Sequence, residues 1–379
     1  MAGDTTFAGS IPEIYDRYLV PLIFEPYARD LALRLSAFAP ADILEVAAGT
    51  GVVTRAMAAL IPDARIVASD LNQPMLDRAA HVMGPGANVT WRQADALALP
   101  FDDGSFDAVV CQFGAMFFPD KVQAYREARR VLKPGGRFVF NVWDAISSND
   151  FADAVTQALT KIFPNDPPLF MARTPHGYHD SALIRVQLGE AGFAAIDIDT
   201  VEERSRAPSP RDVAIAYCQG TPLRNEIEAR CPGGLEGATQ AASVELARRF
   251  GEGSVEGCIS AHVIRARRAM RPIVRGINLD PETRCAHWHS PLDVVAIKMK
   301  CCGAYYACRD CHDALAGHAA EVWPEAEWNQ PAVLCGVCSH EMSVRDYLDC
   351  ENRCPHCGAG FNPGCRHHYH LYFAQDSQG

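Results

Sequence analysis

Apolar residues in the first two-thirds of the chain fall into two alternating arrangements. Short continuous runs, ADILEV (41–46), RIVASD (65–70), VTWRQAD (89–95), FDAVVCQF (106–113) and GRFVFNVW (136–143), predict buried strands. Between them apolar positions recur at helical spacing, from about Val52 to Ile61, in PMLDRAAHVM (74–83) and in VQAYREARRVL (122–132). Strands alternating with helices of this length predict parallel βαβ units and therefore an α/β, doubly wound sheet. Past residue 144 the alternation loosens. Helices are expected around 150–163, 181–191 and 238–250, and strands at AAIDIDTV (194–201) and GCISAHVIRA (257–266). No internal repeat or low-complexity tract is visible.

Composition divides the chain near residue 270. The 379 residues include fifteen cysteines, of which eleven lie between Cys285 and Cys365 together with nine of the thirteen histidines within 285–370. Disulfide scaffolds have no use for histidine, whereas zinc sites combine the two residue types. The opening MAGDTTFAGS lacks the basic-then-apolar form of an export signal, so a reducing, cytoplasmic location and bound zinc are expected. No apolar run has the length of a membrane span, and the net charge of −11 disfavours nucleic acid and acidic membrane surfaces as partners. At the junction Arg265, Arg267, Arg268, Arg271 and Arg275 form a basic strip without interleaved aromatics, which reads as a solvated linker.

The first chemical motif is Glu45-Val46-Ala47-Ala48-Gly49-Thr50-Gly51, at the end of one strand and before a helix. Glycine there lets a ligand approach the backbone at the carboxyl edge of a parallel sheet. Asp70 ends the second strand and can accept both hydroxyls of a ribose, and Asp95 ends the third. A dinucleotide fingerprint would want a third small residue where Thr54 stands, and a pyrophosphate would avoid the acid at Glu45. An acidic strand end suits a nucleoside with an ammonium group and no phosphate.

Four segments in order, ILEVAAGTG (43–51), IVASDLNQPML (66–76), ADALALPFDDGSFDAVVCQFGAMFF (94–118) and REARRVLKPGGRF (126–138), resemble a class I S-adenosylmethionine-dependent methyltransferase of the ubiquinone/menaquinone C-methyltransferase group. The resemblance implies a seven-stranded sheet whose last strand inserts antiparallel, with LKPGG as the turn entering the fifth strand. It implies that Gly49, Gly51 and Thr54 line the methionine end of the cofactor, Asp70 the ribose, Asp95 and Ala96 the adenine, and that Gln112 forms the floor. The segment IYDRYLVPLIFEPYARDL (14–31) resembles the helical lid of that family.

Methyl transfer from a sulfonium is an in-line displacement in which the protein aligns the partners and excludes water, so no dedicated base is required. Catalytic residues are unassigned; Tyr15, Tyr18, His176 and His179 are candidates for acceptor contact. The Asn/Asp-Pro-Pro-aromatic motif of amino-methylating nucleic-acid enzymes is absent after the fourth strand, as is a Pro-Cys nucleophile. The aromatic and methionine residues of QFGAMFF (112–118) point to a small, apolar methyl acceptor.

In the cysteine-rich part the ligand types come in twelve positions: Cys285, His287, Cys301, Cys302, Cys308, Cys311, His312, His318, Cys335, Cys338, Cys354 and Cys357. Twelve ligands make three closed four-coordinate sites, whose pairing spacing alone does not give. Cys350, Cys365, His289, His340, His356, His367, His368 and His370 are left over. The segments 293–318, 332–342 and 352–373 resemble the CHY-type zinc finger, with Trp288 where the family has tyrosine. That resemblance implies three zinc ions, and closed shells make them structural rather than catalytic.

The expected organisation is therefore a methyltransferase domain over 1–268, a linker over 269–280 and a zinc-stabilised CHY domain over 281–374. Two other readings remain at this stage. The zinc module could recruit a protein partner for methylation, or the chain could be a zinc- or thiol-responsive binding module on a methyltransferase-fold scaffold.

Overall fold

The computed structural model describes residues 9–85, 88–231, 234–270 and 272–374. The chain divides into two compact units, Met1–Ala269 and Met270–Gly379.

The first unit is built on a seven-stranded sheet. Its strands are β1 (Asp42–Val46), β2 (Arg65–Asp70), β3 (Val89–Gln93), β4 (Phe106–Gln112), β5 (Leu132–Trp143), β6 (Ala194–Ala207) and β7 (Val255–Arg267). The order is β3-β2-β1-β4-β5-β7-β6. The first five strands pair in parallel, and β7 inserts antiparallel between β5 and β6. Alternate residues of one strand supply both cores: Leu44 and Val109 face one hydrophobic layer, while Ile43, Ala108 and Val110 face the other. This burial on two sides is why the strands read as continuous apolar runs.

The strand order reverses between β1 and β4, which opens a crevice at their carboxyl ends. Two non-glycine residues in the left-handed region flank it, Ala47 after β1 (φ 56°) and Phe113 after β4 (φ 50°). The Asn141 side-chain oxygen holds the Phe113 amide at 2.9 Å, and the Phe113 ring stacks on Trp143 at 3.7 Å. A Cβ on Gly114 would lie 2.5 Å from that of Ala47, so the two turns touch closely enough to require glycine there.

LKPGG belongs to β5 itself rather than only preceding it. The β4–β5 register jumps from Phe106↔Leu132 to Ala108↔Arg137, so Lys133–Gly136 loop out, with the lysine ammonium 2.9 Å from both Asp42 and Asp107. Helices not anticipated from the periodicity occur at Phe170–Arg173, Pro210–Gln219 and Leu223–Arg230.

The lid segment is helical throughout: a short α-turn at Ile11–Ile14, a π-helix at Tyr15–Phe24, and an α-helix at Glu25–Ser36. Pro21 lies inside the π-helix, where its missing N–H disfavours regular α-helical bonding. The Tyr27 hydroxyl donates to the carbonyls of Val201 and Ile259, Ser205 donates to the Leu22 carbonyl, and Asp16 pairs with Arg78 at 2.8 Å.

The second unit holds a five-stranded sheet of order β12-β11-β9-β10-β8, from β8 (Val274–Arg275), β9 (Val295–Lys298), β10 (Tyr305–Tyr306), β11 (Pro331–Cys335) and β12 (Glu341–Ser343). Residues 274–280, read from composition as part of a linker, are folded into this unit. Arg275 and Val274 pair with β10, and the Ile277 amide donates to the Cys311 sulfur at 3.4 Å. The arginine strip is likewise not free. Arg265 pairs with Asp199 at 3.3 Å, and Arg268 caps the carbonyls of Arg129 and Arg130 at the end of the helix Lys121–Val131. Arg271 lies outside the described residues.

Candidate functional site

A cavity of about 630 Å³ opens at the carboxyl ends of β1 to β5. At one end it is lined by Gly49, Asp70, Asn72, Asp95, Ala96 and Gln112, under Tyr15 of the lid. Asp70 anchors this end. Its carboxylate accepts from the Gly49 amide at 2.9 Å and from the Asn72 amide at 2.8 Å, which ties the glycine turn to the tip of β2. Burial raises its pKa despite those amides. Burial likewise pushes the Tyr15 phenol well up, reinforced by the charge of Asp70, so the lid offers a neutral hydroxyl. Asp95 accepts from the Leu97 amide at 2.9 Å.

Two details make this end a ligand cradle. Gly49 has φ +56°, and a Cβ there would occupy space between Met75 and the Tyr15 hydroxyl at 3.7 and 3.8 Å. The Gln112 side-chain nitrogen donates to the Phe24 carbonyl at 3.2 Å, while its oxygen is buried without a hydrogen-bond partner among the described residues. An orphaned acceptor in a cavity wall calls for a donor from a ligand. The two charged residues lining this end are both acids, which suits sugar hydroxyls and opposes phosphates.

Glu45, Gly51 and Thr54 do not line the cavity. Glu45 is fully buried and accepts a 2.5 Å hydrogen bond from the Thr54 hydroxyl. Desolvation lifts its pKa to about 8. Gly51, at φ +78°, starts the following helix, and a side chain there would press on Trp91 and Ala79. These three residues form the support beneath the turn.

Of the acceptor candidates, Tyr15 lines the cavity and Tyr18 does not. The His176 ring contacts the Asp144 carbonyl through Nδ1 at 2.8 Å, and burial lowers its pKa to about 4. His179 bonds to the His176 carbonyl at 2.8 Å. Neither histidine lines the cavity; their neighbours Arg173, Thr174 and Pro175 do. Residues that sequence reasoning missed include Phe170, Met171, Thr221 and Pro222.

In the second unit twelve cysteine and histidine side chains gather in three groups of four, each with ligand atoms within 4.8 Å of one another. The groups are Cys285, His287, Cys308 and Cys311; Cys301, Cys302, His312 and His318; and Cys335, Cys338, Cys354 and Cys357. A tetrahedron with metal–sulfur bonds of about 2.3 Å has sulfur–sulfur edges of about 3.8 Å. The sulfurs of Cys335 and Cys357 are 3.8 Å apart, those of Cys338 and Cys354 3.7 Å, and those of Cys285 and Cys308 3.6 Å. His287 Nδ1 lies 3.5 Å from Cys308 and 3.4 Å from Cys311. Such edges fit one zinc-sized ion per group.

Outer contacts fix the ligands in place. The Cys311 amide donates to the Cys308 sulfur at 3.3 Å, His312 Nδ1 faces Asp313 at 3.2 Å, and His318 Nδ1 faces the Ala316 carbonyl at 2.8 Å. The remaining ring nitrogen of His312 then points at Cys301, 3.3 Å away. Cys350 and Cys365 belong to none of the groups, and His340 and His356 stack on each other at 5.1 Å.

Comparison with known proteins agrees with both geometries. Residues 43–136 match the model of a methyltransferase domain, and residues 285–369 match that of the CHY zinc finger. Helper of Tim protein 13 from Kluyveromyces lactis is 47% identical over 105 residues, 28% of this chain and 91% of that protein. The chain belongs to the CHY zinc-finger family. Its first unit carries an S-adenosylmethionine-dependent methyltransferase domain. A demethylmenaquinone methyltransferase from Thermus thermophilus is 45% identical over 113 residues, which is 30% of this chain and 50% of that protein. The chain thus spans about half the length of that methyltransferase relative. Among solved structures, the YcgJ protein from Bacillus subtilis matches with a TM-score of 0.42 and 20% identity, covering 64% of this chain and 99% of its own.

The cofactors follow: S-adenosylmethionine for the methyltransferase domain and zinc for the CHY finger. When bound, S-adenosylmethionine supplies a methyl group already activated on a sulfonium. A methyl acceptor is implied by the activity. Among the described residues no helix is long and apolar enough to cross a membrane.

Proposed function

We propose that this enzyme methylates a small, largely apolar molecule. The observation supporting this is the continuity of the cavity. Beyond the glycine turn its wall becomes apolar, with Met116, Phe117, Phe118, Trp143, Phe170 and Met171. In this reading Asp70 holds the ribose, Asp95 and Ala96 the adenine, Gly49 the methionine end, and Gln112 the floor, with Glu45, Gly51 and Thr54 as support. The aromatic wall excludes water and aligns the acceptor with the methyl group, which is the main requirement of a displacement from an activated donor.

The three cysteine and histidine groups are proposed to hold three structural zinc ions, since four protein ligands leave no open position for water. Thiols arranged for metal rather than for disulfides support a reducing, cytoplasmic location. The relative named Helper of Tim protein 13 supports a second role, in which the zinc unit docks a protein partner.

The deciding experiment incubates the full chain with methyl-labelled S-adenosylmethionine and cell extract, then separates products by size. Label in the small-molecule fraction is expected. Label in protein would replace the small acceptor with a protein recruited by the zinc unit. Failure to bind either S-adenosylmethionine or S-adenosylhomocysteine in calorimetry would overturn the enzyme reading.

A further inference from the structure

The charges lining the cavity are segregated. Its two carboxylates, Asp70 and Asp95, sit at the glycine end, whereas the other half contains Lys121 and Arg173 and no acid among the described residues. Lys121 opens the helix Lys121–Val131 and turns its ammonium back on the preceding loop. It donates to the carbonyls of Phe118 at 3.0 Å and Met116 at 3.3 Å, and lies 4.6 Å from the centre of the Tyr178 ring. No carboxylate comes within ion-pairing distance of it among the described residues, and its pKa is lowered by desolvation. Arg173, by contrast, is held by Glu226 at 2.7 Å.

An ammonium half withdrawn from water, whose partners are two neutral carbonyls and an aromatic face and no counter-charge among the described residues, is costly to keep in an aromatic pocket. An anion entering beside it would recover that cost through a charge-assisted hydrogen bond. We propose that the acceptor is an apolar molecule bearing an anionic group such as a carboxylate, and that Lys121, with Arg173 on the same wall, recognises that group. The apolar body then packs on Phe117, Phe118 and Phe170, and the anion orients the acceptor away from Asp70 and the cofactor end. Electrostatics select against cationic amines at the same time, because the wall that would receive them is positive.

This inference rests on the small-acceptor reading above. Its test uses the full chain saturated with S-adenosylhomocysteine, titrated in a calorimeter with 1-naphthylacetate and with its uncharged counterpart 2-(1-naphthyl)ethanol. The acid should bind about tenfold more tightly than the alcohol, the value of one charge-assisted hydrogen bond in this setting. Lys121→Met should abolish that preference while S-adenosylhomocysteine still binds, and Lys121→Arg should retain it. Equal affinities in the native protein, or binding of neither probe to the S-adenosylhomocysteine complex, would overturn the proposal. A preference that survives Lys121→Met would overturn the assignment to Lys121. If S-adenosylhomocysteine itself does not bind, the methyltransferase reading fails and this one with it, an outcome distinct from the others.

Discussion

Replacing Glu45 with glutamine should make the first unit less sensitive to pH. The Glu45 carboxyl is 1% exposed, is bonded to Thr54, and has its pKa lifted by burial from an ordinary 4.5 to about 8. The native state therefore keeps a proton at pH 7 that the unfolded chain releases near pH 4.5. A raised carboxyl pKa contributes stability that is complete below 4.5 and is lost as pH rises through about 8. The slope across that window is about 1.4 kcal/mol per pH unit, so between pH 5 and pH 7 the native protein should lose roughly 2.5 kcal/mol relative to Glu45→Gln. Glutamine keeps an oxygen to accept from Thr54 and does not titrate.

A global melt is the wrong assay, because a chain of two units does not define a single unfolding free energy. Hydrogen exchange read by mass spectrometry on peptides covering 42–60 reports this site directly. After correction for intrinsic exchange rates, protection of these peptides should fall from pH 5 to pH 7 in the native protein and stay level in the variant. Parallel behaviour of the two proteins would mean that Glu45 ionises at its ordinary pKa, and the argument from burial would fail. A divergence in the opposite direction would mean that the attraction of the nearby Arg55 guanidinium outweighs burial at Glu45.

Asp70→Asn should weaken S-adenosylhomocysteine binding about tenfold in calorimetry, since it removes a charged acceptor from ribose hydroxyls; unchanged affinity would remove Asp70 from the cofactor site. Gly114→Ala should cost the first unit about 1–3 kcal/mol of local stability, seen as faster hydrogen exchange in peptides covering 106–118, because the new Cβ must fit 2.5 Å from Ala47 and 2.7 Å from the Cys111 sulfur; unchanged protection there would contradict the close approach of the two turns. Stripping metal with a chelator should release three zinc ions per chain to a colorimetric indicator and make the nine clustered cysteines reactive to a thiol reagent. S-adenosylhomocysteine binding should persist. Full reactivity of those thiols before chelation would contradict closed sites.

The parts of the site that were readable from sequence are those that lie at strand ends. A strand must stop where its ladder stops, so Gly49, Asp70 and Asp95 could be placed at one sheet edge from the apolar runs alone, whereas Gln112 entered only through the family resemblance. Glu45 shows the limit of that reasoning. In a strand buried on both faces every position is apolar in its surroundings, and the period of two cannot say which side chain reaches the crevice. The far wall was invisible for another reason. Phe170, Met171, Thr221 and Pro222 come from segments far apart in the chain whose meeting depends on tertiary packing. One local signal was nevertheless available: Ser209 followed by Pro210 and Asp212 is a helix start, and the Ser209 hydroxyl does accept from the Asp212 amide.

The metal groups carry the same lesson at shorter range. All twelve side chains that gather in the three groups could be named from composition and spacing, but their partition could not, because the first two groups interleave. The pair Cys285 and His287 closes with Cys308 and Cys311, while Cys301 and Cys302 close with His312 and His318. The crossover is made by a single peptide bond. Cys311 and His312 are adjacent on the helix Arg309–Leu315, and neighbouring helical side chains diverge by about 100°, so one serves each group. The third group closes within a simple pair of corners, Cys335 and Cys338 with Cys354 and Cys357. Zinc held at the first two groups would therefore constrain the same helix, and loss of either ion should loosen the side chains of the other. Stepwise zinc release should thus show two ions leaving together and one apart; three independent release phases would mean that the shared helix does not couple the first two groups.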